Sequence, residues 1–239
     1  MPSVASRNRG VPARLYLPAA GIGGVTGPVP LIVFSHGIGG SREGYKYLGR
    51  YFAASGYASL HLQHVGSDRQ LWFGNPFHLL ARFKDAAQES EAIDRVRDLS
   101  FALDRLLESA VGGHVDRQRI IAAGHSYGAN TTLLAAGALV ERAGRVPRLH
   151  DTRIMAAILL SAPPFYGSND TARILGDIDI PTARGSGGME LNPKVKSATR
   201  DLAVAFLNSQ FAGDSSALAR WHRQNAGLIE RFEHKLAGR

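Results

Sequence analysis

Along this chain, short apolar runs alternate with longer stretches in which apolar and charged positions recur at helical spacing. PLIVFS (30–35), YASLHLQ (57–63), RIIAAG (119–124) and IMAAILLS (154–161) are each bounded by turn residues and read as buried strands. ARLYL (13–17) predicts an earlier strand, and GIGGVTGP (21–28) a loop after it. Residues 43–55 read as a helix. Residues 85–109 carry Ile93, Val96, Leu99, Leu103 and Leu106 on one helical face, and a further helix follows Ser126 through Leu133, Leu134 and Leu139. Charged helices are expected over 194–236. Strands alternating with helices predict an α/β fold, a mostly parallel sheet with helices on both faces. No internal repeat and no linker divides 1–239, so a single domain is expected.

Composition narrows the function classes. With 44% hydrophobic and 20% charged residues among 239, the chain is that of an ordinary globular protein. The absence of cysteine removes disulfides and thiolate metal sites. The start, MPSVASRNRG, has no apolar core of a signal peptide, and no stretch reaches the ~18 apolar residues of a membrane span. A cytoplasmic protein without a membrane span is therefore expected. The formal charge of +8 raises nucleic-acid binding, but in EAIDRVRDLSFALDRLLE the arginines sit beside acids, as on a solvated helix face. No nucleic-acid partner is expected.

The chemistry concentrates in IIAAGHSYGAN (120–130), which sets Ser126 between Gly124 and Gly128 in a G-x-S-x-G pattern. A buried strand precedes this serine and a helix follows, as a nucleophile elbow requires. Upstream, FSHGIGGS (34–41) follows another buried strand and would aim a backbone N–H at the same point. The competing dinucleotide fingerprint fails there: counting from Gly37 and Gly39, the third glycine should fall at position 42, which is Arg42. No acidic residue follows in YASLHLQH either. His61 and His64, three apart on a strand, point to opposite faces and have no third ligand nearby, so no metal is expected.

Three segments together carry a resemblance: SHGIGGSREGYKYLGRYFAASGYASLHLQHVGSD, RVRDLSFALDRL and VDRQRIIAAGHSYGANTTLLAAG. In order and spacing they resemble the α/β-hydrolase superfamily, close to the predicted dienelactone-hydrolase and platelet-activating-factor acetylhydrolase-like esterases, over about residues 7–182. The resemblance implies a serine esterase or lipase-like hydrolase that acts on small-molecule esters without a cofactor. It makes Ser126 the nucleophile and the backbone N–H groups of Ile38 and Tyr127 the oxyanion hole, and it gives neither His36 nor His125 the role of base. Trp72, Phe73, Phe165 and Tyr166 would border the serine as candidates for an acyl pocket.

Downstream the pattern breaks. The family places its acid after a seventh strand and its histidine after an eighth. Here GDIDIPT (176–182) resembles the approach to the seventh strand, and ARGSGGMELNP follows at once. The twelve residues from Thr182 to Pro193 are too few for the missing βα unit and strand, which need on the order of 30. An internal deletion near 182–183 is expected, leaving the sheet without its last one or two strands and the site without its usual acid and base. Asp170, His222 and His234 are the replacement candidates, set against helix capping for Asp170 and solvation for the two histidines. A hydrolase fold that only binds apolar ligands or partners is the alternative. Residues 154–161 would then lie near a bare sheet edge, open to self-association.

Overall fold

The computed structural model describes residues 9–19, 27–141, 146–165, 170–185 and 193–228. Strands β1 (Ala13–Tyr16), β2 (Val29–Ser35), β3 (Ala58–Leu62), β4 (Val115–His125), β5 (Ile154–Leu160) and β6 (Thr182–Gly185) form one sheet in the order β1-β3-β2-β4-β5-β6. Only β1 is antiparallel to its neighbour, Ala13 lying opposite Leu62, and all other pairings are parallel. The expected α/β class and mostly parallel sheet are both present. Pro30 sits where the β2·β4 register shifts between Val29 and Leu31, the one place in β2 where a missing N–H disturbs no regular ladder.

Side chains of β2 alternate between two cores. Leu31 and Val33 pack with Val96, Leu99 and Leu103 of α3 (Glu89–Glu108) and with Leu133 and Leu134 of α4 (Tyr127–Ala135). Ile32 and Phe34 face the opposite side, against Leu48 and Phe52 of α1 (Lys46–Ala54) and against Phe206 and Leu207 of α6 (Pro193–Phe211). Helices thus cover both faces of the sheet.

Several expectations are corrected. The stretch 85–109 is two helices, α2 (Leu79–Ala86) and α3, and α2 begins six residues before the apolar pattern suggests. The helix after Ser126 ends at Ala135, short of Leu139, because Gly137 turns the chain at φ 112°. A short helix α5 (Thr171–Leu175) precedes β6, and the C-terminal region breaks between α6 and α7 (Ala217–Asn225). Residues 229–236 lie outside the described residues. The largest correction concerns the edge. The strand expected to stop at Thr182 continues through Ala183 to Gly185 and pairs with Ala157–Leu160. The Ala157 N–H donates to Pro181 O at 2.9 Å and the Ser161 N–H to Gly185 O at 2.7 Å. Residues 157–160 are therefore interior, and β6 is the outermost strand.

Candidate active site

Ser126 stands at the turn from β4 into α4, with φ 53° and ψ −121°. A non-glycine residue holds such a conformation only where its surroundings enforce it. The Ser126 N–H donates to Leu160 O at 2.8 Å, continuing the β4·β5 ladder, while its carbonyl accepts from the Ala129 N–H at 2.8 Å and opens the helix. The flanking glycines make room for this. A Cβ on Gly124 would lie 2.1 Å from Gly128 O, and one on Gly128 would lie 2.0 Å from Ser35 O. Ser161, at the end of the adjacent strand β5, is the other non-glycine residue with positive φ among the described residues.

The loop 36–40 lies against the serine, since a Cβ on Gly37 would meet Ser126 Cβ at 3.2 Å. Its amides are fixed around Ile38: the Gly39 N–H donates to Ser67 O at 2.8 Å and the Gly40 N–H to Gly37 O at 3.0 Å. The indole Nε1 of Trp72 donates to Gly39 O at 2.8 Å. Among the described residues neither the Ile38 N–H nor the Tyr127 N–H, the first amide of α4, makes a hydrogen bond. Two unengaged amides thus sit on either side of Ser126.

Beneath them lies a buried polar network. Arg95, read in the sequence as part of a solvated helix face, is wholly buried. Its Nε donates to Thr131 Oγ1 at 2.9 Å, Nη1 to Ser67 Oγ at 2.7 Å, and Nη2 to His36 O. The guanidinium also lies over the Tyr127 ring, 4.7 Å from its centroid. Burial lowers its pKa to about 10, so it stays a cation at neutral pH. Its charge and that of Arg9 are matched by two carboxylates. Arg9 pairs with Glu91 at 2.7 Å and with Asp98, and the Ser67 hydroxyl donates to Glu91 at 2.7 Å.

Two buried histidines complete the network. His36 Nε2 accepts the His64 N–H at 3.1 Å, so its proton sits on Nδ1, which donates to Gly37 O at 2.7 Å. Burial, reinforced by Arg95, holds His36 well below the usual histidine range, and it is neutral. His64 Nε2 lies 3.0 Å from Ser35 Oγ and Nδ1 lies 3.1 Å from Asp98 Oδ2. This is a Ser–His–Asp order of contacts, but all three side chains are buried, so it holds strand ends in place rather than meeting a substrate. His61, three residues before His64, stacks on Phe34 and meets Tyr16 edge-on, on the other side of the sheet.

The replacement candidates that are described lie on separate helices. Asp170 caps α5, its Oδ1 accepting the Arg173 N–H at 2.9 Å. His222 lies on α7, which docks on α6 through Trp221, whose Nε1 donates to Ala198 O at 2.8 Å. His234 and Tyr166 lie outside the described residues. Sequence reading found the serine and the loop but missed Arg95, Asp98 and Glu91, whose only signal is a charged residue on the buried side of an amphipathic helix.

A model of the "Alpha/beta hydrolase family" matches residues 32–236. No curated protein matches the chain. Among solved structures, a ferulic acid esterase from Streptomyces cinnamoneus is 26% identical over 72% of this chain, with a TM-score of 0.46; the chain spans 46% of that protein's length. The propionate-bound esterase Est2 of Thermogutta terrifontis is 16% identical, with a TM-score of 0.56 over 86% of this chain and 92% of that one. The same esterase phosphorylated by paraoxon gives 16%, 0.55, 85% and 90%. At such identity these last two speak for the fold.

Proposed function

The chain belongs to the α/β-hydrolase family, and from that premise we propose that it is a serine esterase acting on small carboxylic esters through an acyl-enzyme on Ser126. The observation that carries this reading is the strained Ser126 backbone at the strand–helix turn, flanked by the two unengaged amides of Ile38 and Tyr127. In the proposed reaction, Ser126 Oγ attacks the ester carbonyl, the amides of Ile38 and Tyr127 stabilise the oxyanion, and the alcohol leaves with a proton. Water then attacks the acyl-enzyme and releases the acid. Arg95 acts as a positioning residue: it grips the His36 carbonyl on one side and α4 on the other, holding both donors in register.

The alternative reading is a hydrolase fold that binds apolar ligands without turning them over. The deletion inferred near 182–183 belongs to that reading, because it would have removed the acid and base. A serine hydrolase whose triad has lost its base retains only ~10³–10⁴-fold acceleration over water, from the oxyanion hole and binding. Hydrolysis of p-nitrophenyl acetate by the wild type and by Ser126→Ala decides between them. A loss of at least about a hundredfold in the variant is expected; equal rates would discard the esterase reading and leave the binding one.

A further inference from the structure

Trp72, Phe73, Phe77 and Leu80 are 57%, 64%, 91% and 68% exposed, and they fall within nine consecutive residues between β3 and α3. Their outward placement is held by local hydrogen bonds that fix the backbone of the segment. Arg82 Nε donates to Leu71 O at 3.0 Å and Nη1 to Asn75 O at 2.9 Å. Asn75 Oδ1 accepts the Phe77 N–H at 3.0 Å, and Asp68 Oδ1 the Gln70 N–H at 3.1 Å. The Trp72 ring packs edge-on against Phe83 at 5.2 Å, with its indole N–H held on Gly39. Soluble proteins seldom hold several large apolar side chains outward together unless something covers them.

Charge identifies the cover. From Arg69 to Lys84 the segment has three cations and no acidic residue. Arg69 and Lys84 are exposed, and Lys84 follows Leu80 by four residues on the same face of α2. Aromatic and leucine side chains with a cationic flank are the pattern that seats a protein in the headgroup region of an anionic bilayer. The chain as a whole carries +8, which favours the same encounter.

We propose that the 69–84 segment docks the protein peripherally on an anionic phospholipid surface, with Trp72, Phe73, Phe77 and Leu80 inserted and Arg69 and Lys84 on the headgroups. Docking would not depend on the esterase reading. Where that reading also holds, esters resident in the lipid layer become the substrate class, since Trp72 is bonded to the loop that carries Ile38.

Co-sedimentation of the full chain with vesicles tests this, using an equimolar mixture of phosphatidylglycerol and phosphatidylcholine against phosphatidylcholine alone. The mixed vesicles should bind, with a blue shift of emission from Trp72, the other tryptophan, Trp221, being buried already. Phe73→Ser with Phe77→Ser should weaken binding at least about tenfold, since a single buried Phe side chain is worth that much. Arg69→Glu with Lys84→Glu should weaken it on the mixed vesicles, and Ser126→Ala should bind as the wild type does. Circular dichroism of each variant checks the fold. Absence of binding to the mixed vesicles, or equal binding by the Phe73/Phe77 variant, would overturn the proposal. So would a lipid-free dimer that the same variant dissolves, which would assign the patch to a second copy.

Discussion

At the scale of single residues, the fold accepts unfavourable local states where the site needs them. The backbone of Ser126 costs on the order of 1–3 kcal/mol, offset by the ladder bond to Leu160 and by the contacts that only Gly124 and Gly128 permit. His61 is a second such residue. Its Nε2 lies 2.9 Å from Ser59 Oγ, its Nδ1 has no partner among the described residues, and burial lowers its pKa to about 3. Below about pH 6.5 the unfolded chain takes up a proton at this position that the folded chain refuses, so stability falls as pH falls from about 6.5 toward 3. Between pH 6.5 and 5 the loss from this group is about 2 kcal/mol. His36 contributes in the same direction. His61→Phe keeps the ring between Phe34 and Tyr16 and removes that dependence. Urea unfolding at pH 7 and pH 5 should show a smaller decline in the variant, and an unchanged decline would place the acid sensitivity elsewhere.

Among the elements, β6 decides how the sheet ends. It is four residues long and carries Arg184, both features of edge strands that resist pairing with other chains. Its cover over β5 predicts that the amides of Ala157 and Ser161 exchange with deuterium as slowly as those of β4; fast exchange there would mean that the β5·β6 ladder does not hold. Ala157→Lys should unfold the protein, since Ala157 is fully buried. These elements also show what the sequence could and could not disclose. PLIVFS and RIIAAG are legible because a strand buried on both faces is apolar throughout. TARG has no such pattern, and its strand state comes from the free ladder of β5. The helix at 79–86 is obscured because Leu80 and the neighbouring Phe77 point outward. Ser126 and its glycines are legible as a local motif. The Arg95 network is not, because it joins β2, the loop after β3, α3 and α4, four places far apart in the chain.

For the whole molecule, the same network is where the N-terminal segment is tied down. Arg9 reaches Glu91 and Asp98 on α3, so its loss leaves two largely buried carboxylates with Arg95 as the nearby buried cation. Arg9→Met should lower unfolding stability by about 3 kcal/mol, read as a shift in the urea midpoint with little change in slope. A change below about 0.5 kcal/mol would show that Arg95 suffices.

The strand order has a consequence for how the protein is made. β2 leaves the ribosome well before β4, its partner at the centre of the sheet, because α1, β3, α2 and α3 lie between them. Pairings so distant in sequence close slowly, and until they do β2, buried throughout in the folded protein, has one flank unmatched. Gly128 can seat against the Ser35 carbonyl only after β2 and β4 have met, so the elbow that carries Ser126 is finished late in folding. The nascent chain thus keeps one flank of a central strand open until β4 has been made, and the site matures only once that exposure ends.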